Sequence, residues 1–187
     1  MMLEGATNGL RDKPLRYGLV SRFFHWMTAY LLLWQFCMTI GWRMFGDNKI
    51  MQVASVLGPS HKVVGILVLT LVIPRFLWAL SNRHQSPVAD ISLLGRFAKT
   101  VYTLFYILMF IVPVLALLRA YGSGQGYALW GLHLVPKTDH IIPWLRTPAD
   151  RLHTPLAWTL SCLIAGHILM AIFHSVIRRD GTMSRMI

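Results

Sequence analysis

Charged side chains are scarce in this sequence. They account for 13% of its 187 residues, whereas about 25% is usual in a soluble domain. No Gly/Ser-rich or Pro-rich linker divides the chain, so its length predicts a single domain over residues 1–187. Hydrophobic residues make up 55% of the chain, and four apolar stretches would take up most of it. That distribution leaves no room for a soluble catalytic domain.

Cysteine is almost absent as well. The two cysteines, Cys37 and Cys162, lie inside apolar stretches, and neither belongs to a C-x-x-C or C-x-x-C-H motif. The sequence therefore lacks the usual ligands of a zinc–thiolate site, an iron–sulfur cluster or a c-type haem. We interpret both cysteines as small buried apolar side chains.

Acidic residues are also few. Seven Asp and Glu stand against 18 Lys and Arg, and the formal net charge is +11. The basic residues flank the apolar stretches and do not form a stripe with stacking aromatic residues. They therefore favour contact with the headgroups of a lipid bilayer, and we expect no nucleic-acid binding.

The four apolar stretches predict four membrane-spanning helices, because about 20 apolar residues are needed to cross the hydrocarbon core. The segment Phe23 to Trp42 is too long for the apolar part of a signal peptide and no A-x-A site follows, so we interpret it as a retained first span. Pro59 suits the first turn of the second helix, and Pro113 predicts a kink in the third. The capping signal Thr147-Pro148-Ala149-Asp150 predicts the start of the fourth. The predicted spans are residues 19–42, 59–80, 93–118 and 148–177.

The distribution of Lys and Arg predicts the orientation. With the N-terminus in the cytoplasm, seven of the 18 fall on the external side and the other eleven (18 − 7) on the cytoplasmic side. The positive-inside rule then places both termini in the cytoplasm. The external residues are Arg43, Lys49, Lys62, Arg119, Lys137, Arg146 and Arg151.

Five of the eight histidines lie within the predicted spans. Ionisable residues are costly inside a membrane, and they usually face the bundle interior at a functional site. A single one could be a core histidine with satisfied hydrogen bonds, but five in three spans favour a common function. They are His25, His61, His153, His167 and His174.

The spacing of these histidines predicts two sites. His153 and His167 are fourteen residues apart, which places them on one helix face and roughly 21 Å apart along the axis. His61 lies at the level of His153, whereas His25 lies toward the cytoplasm and, by depth alone, could pair with His167 or His174. Two histidines facing each other across a bundle core can ligate a b-type haem, whereas zinc usually takes four ligands. The predicted fold is an all-α, integral membrane four-helix bundle that encloses two b-type haems.

An ordered set of motifs extends over nearly the whole chain. They are Tyr17-Gly18, Phe24-His25-Trp26, His61-Lys62-Val63-Val64-Gly65, Arg75 fourteen residues after His61, Pro113, the Gly122 to Gly126 turn, the His153–His167 separation, and the D-x-T-x-x-R-M motif from Asp180 to Met186. On these motifs the chain resembles the bacterial cytochrome b561 family of four-helix membrane proteins with two b haems. The resemblance implies that His25 and His167 ligate a haem on the cytoplasmic side and that His61 and His153 ligate one on the external side. It also implies a location in the bacterial inner membrane.

Two further residues are candidates for cofactor binding. Gly65, one turn after His61, would let a planar macrocycle approach the backbone; the alternative is close helix packing. Arg75 shares the bundle-facing side with His61, nearer the cytoplasm, so we expect it to pair with a haem propionate or to help form a quinone site. The alternative is that its side chain reaches lipid headgroups.

Two haems stacked across a bilayer would form an electron-transfer path. The resemblance implies ubiquinone as acceptor or donor near the cytoplasmic haem, and one kind of family member oxidises superoxide at the outer face. External basic residues could attract such a small anion, although they could also merely meet lipid phosphates. Lys62 and Arg151, each within two residues of a proposed ligand, are the candidate catalytic residues. The external basic residues that could attract the anion near the outer haem are Lys49, Lys62, Arg119, Lys137, Arg146 and Arg151.

Two other functions are compatible with the sequence. The protein could be a cytochrome subunit that receives electrons from a partner dehydrogenase or hydrogenase. It could also be a haem-free transporter or assembly protein whose histidines relay protons.

Overall fold

The computed structural model describes residues 9–85, 93–129 and 131–187, with only the backbone of Leu94. The described chain forms five α-helices and a two-stranded antiparallel sheet, and the predicted all-α class is confirmed. The helices are α1 (Leu19–Phe45), α2 (Lys49–Leu57), α3 (His61–Asn82), α4 (Leu93–Gly122) and α5 (Pro143–Ile172), and the strands are β1 (Tyr127–Leu129) and β2 (Leu132–Val135).

Local sequence signals set several of these boundaries. α1 ends just before Gly46, whose φ of 60° is a conformation that glycine adopts readily. α2 begins after Asn48, whose side chain accepts a hydrogen bond of 2.9 Å from the backbone N–H of Met51 and thereby caps the helix. α5 begins at Pro143, where the missing N–H of proline leaves no hydrogen bond unmade.

The long helices pack around one small core. α4 lies against α5, α1 against α3, and α3 against α4. Val64, Val68 and Val72 recur every four residues, so one face of α3 forms the middle of this core. Most large apolar side chains on the outside of the helices are exposed, as is expected for helices whose outer faces contact lipid. The core residues are Leu31, Leu32, Val64, Val68, Val72, Leu108, Met109 and Leu160.

Three helices within the described residues are long and apolar enough to cross a membrane, by length and composition: His61–Asn82, Gly95–Gly122 and Pro143–Arg178. α1 is not among them, although its 27 residues are sufficient in length. The polar side chains of His25 and Gln35 lower its hydropathy. That α1 is the first span therefore stays a prediction.

Two details differ from the sequence-based expectations. α5 begins at Pro143, so Thr147-Pro148-Ala149-Asp150 lies within its first turns, and Asp150 forms ion pairs instead of capping the helix. Cys37 and Cys162 are exposed rather than buried, because an apolar side chain on a membrane helix can face lipid instead of the protein core. In addition, α2 and the two strands have no counterpart among the predicted spans.

The C-terminal segment returns to the beginning of α1. α5 continues as a π-helical turn, Phe173–Arg178, after which the chain reverses. The backbone N–H of Tyr17 then donates a hydrogen bond of 3.1 Å to the carbonyl of Arg185, and the indole N–H of Trp26 donates one of 3.1 Å to the carbonyl of Met186. The terminal motif thus packs against the end of the bundle near His25.

Candidate functional site

Two histidines from different helices face each other in the upper half of the bundle, defined as the half that contains His61. His61 is the first residue of α3, and His153 lies in α5. Their ring centroids are 6.2 Å apart, with an angle of 64° between the ring planes. His153 Nδ1 lies 3.0 Å from the carbonyl oxygen of Val112, and because a carbonyl only accepts, the Nδ1–H is the donor. This hydrogen bond leaves Nε2 of His153 available as a ligand.

A second pair lies in the lower half. The ring centroids of His25 in α1 and His167 in α5 are also 6.2 Å apart, at an interplanar angle of 61°. The ring of Phe105 packs against His167 with a centroid distance of 5.8 Å. His174 is engaged elsewhere, since its Nδ1 lies 2.6 Å from a carboxylate oxygen of Asp180. Depth alone leaves two partners open for His25, and the structure brings His25 together with His167.

The spacing within each pair fits one metal ion between two imidazoles. A bond from a metal to an imidazole nitrogen is roughly 2.0–2.1 Å long, so two rings on one ion would have centroids about 6 Å apart. Among the described residues, no group of three or more His, Cys, Asp or Glu could hold a metal ion. Two protein ligands are too few for zinc, but they suffice when a porphyrin supplies the other four.

Glycines beside both pairs leave open space for a planar group. A Cβ placed on Gly65, one turn after His61, would meet no atom within 4 Å, and the same holds for Gly166, directly before His167. The open space at Gly65 favours approach of a macrocycle over close helix packing. Gly166 is not part of the sequence motifs. Its position next to the candidate ligand His167 is the signal that could have identified it.

A family model described as Prokaryotic cytochrome b561 matches residues 16–187. The chain belongs to this family. A similar curated protein is Cytochrome b561 homolog 2 from Escherichia coli (strain K12), which is 28% identical over 180 residues, covering 94% of this chain and 93% of the relative. As a cytochrome b561, the protein is a bacterial membrane protein of electron transfer, and membership of the family implies b-type haem.

Arg75 lies beside the lower histidine pair of this cytochrome. Its guanidinium carbon is 5.6 Å from the centre of the Tyr106 ring, and the preceding residue in that helix, Phe105, packs against His167. This position favours a role inside the bundle over an extended side chain that reaches lipid headgroups.

The basic residues at the upper end of the cytochrome differ in their partners. Asp150 forms ion pairs with Arg119 Nε at 2.6 Å and with Arg146 Nε at 3.2 Å. In the described part of the chain, neither Lys62 nor Arg151 forms a salt bridge. The charges of Lys62 and Arg151 are therefore not offset by a bound carboxylate.

His174 belongs to a separate polar cluster at the lower end of the cytochrome. Asp180 accepts hydrogen bonds from the hydroxyl of Thr182 at 2.6 Å and from its backbone N–H at 3.1 Å. The hydroxyl of Thr182, followed by the ring of His174, holds the pKa of Asp180 well below its usual range. Asp180 therefore stays ionised near neutral pH and keeps its contact with His174.

Proposed function

We propose that this cytochrome b561 binds two b-type haems, one at each histidine pair, and transfers electrons across the membrane. The observation that carries the proposal is that two pairs with the same ring separation of 6.2 Å occur at two depths. His153 and His167 set these depths roughly 21 Å apart along α5. Haem iron would supply reversible one-electron chemistry. The chain would supply axial ligands, an apolar environment and the separation between the sites.

The orientation of the cytochrome follows from the excess of basic residues on one side. In this proposal the upper end, with His61 and His153, is the external face. Both termini are cytoplasmic, and the protein is a multi-pass protein of the bacterial inner membrane. The upper haem would therefore be external and the lower haem cytoplasmic. Electrons would enter at one of them and leave at the other.

The lower haem would exchange electrons with ubiquinone. An apolar cavity of about 300 Å³ lies between α3 and α4 in this half of the bundle, with Phe76 and Tyr106 in its lining. The guanidinium of Arg75 packs over the ring of Tyr106. A guanidinium in this position can bind a haem propionate or the carbonyl oxygen of a quinone, and the apolar cavity suits the rest of a quinone.

Replacing Arg75 with leucine should lower the reduction potential of the lower haem. A nearby positive charge destabilises the ferric form more than the ferrous form, so its removal would favour the ferric form. The expected change is on the order of 1–2 kcal/mol, for a unit charge at an effective dielectric of about 20. A redox titration followed by absorbance measures it, together with the rate of quinone reduction. Arg75→Lys is the matched control because it keeps the charge. Unchanged potentials and quinone kinetics in Arg75→Leu would favour a side chain that only reaches headgroups.

At the external face, the proposed electron donor is superoxide. Lys62 follows His61 directly, and Arg151 precedes His153 by two residues. Since His61 begins α3, the partial positive charge of the helix N-terminus adds to the same region. Positive charge around the upper pair would raise the rate at which a small anion reaches the upper haem.

Asp150→Asn should accelerate reduction by superoxide at low salt, because it removes the carboxylate that offsets Arg119 and Arg146. We expect a change of about twofold to threefold, since exposed charges are strongly screened. Stopped-flow mixing at low and high ionic strength measures the effect. Asp139→Asn, in the exposed loop after the strands, is the matched control. An equal rate in wild type and Asp150→Asn would mean that Asp150 only joins α4 to α5.

A further inference from the structure

The two histidines of the lower pair lie in helices that are not packed closely together. His25 belongs to α1 and His167 to α5. α1 packs mainly on α3, and α5 packs mainly on α4. Within the residues that the structure describes, α1 and α5 have no packing of comparable extent. The distance between these two helices at the lower end therefore depends on another part of the chain.

The terminal segment, residues 180–187, is attached to α5 through Asp180. The chain reverses after the π-helical turn that continues α5. A carboxylate oxygen of Asp180 then lies 2.6 Å from Nδ1 of His174. Because an ionised carboxylate can only accept, the Nδ1–H of His174 is the donor. His174 lies in the continuation of α5, so this bond fixes the beginning of the terminal segment to the helix that carries His167.

The other end of the terminal segment is attached to the beginning of α1. Three consecutive backbone carbonyls, those of residues 185–187, accept hydrogen bonds there. The donors are the backbone N–H of Tyr17 at 3.1 Å, the indole N–H of Trp26 at 3.1 Å and the guanidinium of Arg22 at 2.6 Å. The terminal segment thus joins α5 to α1 at the lower end of the bundle.

One of these bonds fixes a side chain that borders His25. The ring centroids of Trp26 and His25 are 5.2 Å apart, and their planes are at 85°. A metal-bound histidine usually donates its second ring N–H to an acceptor that fixes the orientation of the ring, as in the contact of His153 with the carbonyl of Val112. His25 has no such acceptor among the described residues. Its orientation therefore depends on neighbouring rings, and the indole of Trp26 is held in place by the carbonyl of Met186.

We propose that the terminal segment is a positioning element for the lower haem, which presupposes that His25 and His167 bind this haem as proposed above. The segment holds α1 beside α5, and through Trp26 it fixes the angle between the imidazole planes of the two ligands. Trp26 and Asp180 are positioning residues, because each acts on the iron only through His25. Contacts of this kind orient the ligands of a metal and tune its properties.

Electron paramagnetic resonance of the complete, haem-loaded ferric protein tests the proposal. In low-spin ferric haem, the g values depend on the angle between the planes of the two axial imidazoles. Trp26→Phe keeps an aromatic ring but removes the N–H that binds the carbonyl of Met186. Trp42→Phe is the matched control, because it removes an indole hydrogen bond of 3.2 Å, to the hydroxyl of Ser55, near the upper end of the same helix. The signal that is lost in His25→Ala identifies the lower haem.

The expected result is a shift and broadening of the signal of the lower haem in Trp26→Phe, with the signal of the upper haem unchanged. Trp42→Phe should leave the signal of the lower haem as it is in the wild type. Asp180→Ala frees the terminal segment from α5 and should shift the same signal, although Asp180 contacts His174 and not His25. Combined with Trp26→Phe it should add little, because both changes break the same connection.

Unchanged g values of the lower haem in either Trp26→Phe or Asp180→Ala would overturn the inference, because the proposed connection runs through both residues. Equal shifts for the two haems would also overturn it, since they would indicate a general loosening of the bundle. Thr182→Val, which removes a hydroxyl bound to Asp180 at 2.6 Å, takes the place of Asp180→Ala if that variant does not fold. A wild-type protein without a lower haem would contradict the proposed function as well, whereas two haems with unchanged g values in the variants would contradict this inference alone.

Discussion

Replacing His153 with alanine is expected to remove the upper haem and leave the lower haem in place. In this variant the iron of the upper haem would lose one of its two protein ligands. His61 alone would bind that haem weakly. The purified variant should therefore contain about half the haem of the wild type and lose one component of the reduced-minus-oxidised spectrum. Haem extraction per mole of protein and low-temperature spectra measure both quantities. Retention of two unchanged low-spin components would contradict ligation by His153.

The lower pair gives the matched experiment. His25→Ala or His167→Ala should remove the other spectral component, whereas His174→Ala should keep both, because Asp180 rather than His25 is the partner of His174. Loss of a haem in His174→Ala without any loss in His167→Ala would overturn the pairing. A colourless wild-type protein would instead favour a transporter or assembly protein whose histidines relay protons.

Replacing Lys62 and Arg151 together with glutamine is expected to slow reduction of the upper haem by superoxide at low ionic strength. Electrostatically steered encounters can approach 10⁸–10⁹ M⁻¹s⁻¹ and fall steeply with salt, so removal of two charges should cost about tenfold and flatten the salt dependence. Stopped-flow absorbance of the haems, with superoxide in excess and at several salt concentrations, measures the rate. The haem spectrum should stay unchanged, since neither residue is a proposed ligand.

The same experiment separates superoxide oxidation from a relay function. Lys137→Gln, in the upper loop, is a control for a general change of surface charge and should have a smaller effect. If the wild-type protein reacts slowly with superoxide at low ionic strength, the superoxide assignment fails. Rapid reduction only after addition of a cognate dehydrogenase or hydrogenase would then favour a cytochrome subunit fed by a partner. The proposal of two haems would not depend on that outcome.

Features encoded within one helix could be predicted from the sequence. The scarcity of charge indicated a membrane protein, and the ordered motifs indicated the family, which is confirmed over residues 16–187. The fourteen-residue separation of His153 and His167 places both on one face, because the geometry of an α-helix is the same wherever it occurs. The long helices α1, α3 and α4 likewise follow from the apolar stretches, although each helix extends two to four residues beyond the end of its predicted span.

Features that depend on how helices lie against each other required the tertiary structure. Whether His25 meets His167 or His174 depends on the vertical offset between α1 and α5 and on the direction of each side chain, which tilts toward the N-terminus of its own helix. The contact of His174 with Asp180 depends on a chain reversal after α5. The start of α5 at Pro143 is fixed by a contact with α4, since the backbone N–H of Ile142 donates a hydrogen bond of 2.8 Å to the carbonyl of Gly122.

The division of exposed and buried surface was also decided by the tertiary structure. Cys37 faces outward because lipid, like a protein core, accepts apolar side chains, so hydropathy cannot distinguish the two environments. α2 is too short to give the signal of a spanning segment, and its position is set by contacts such as that of Met51 with Gly41. The sequence by itself determined which residues are able to bind haem and to enter a membrane. Helix packing decided which of them meet, because the free energy of pairing depends on distances between segments that are remote in the chain.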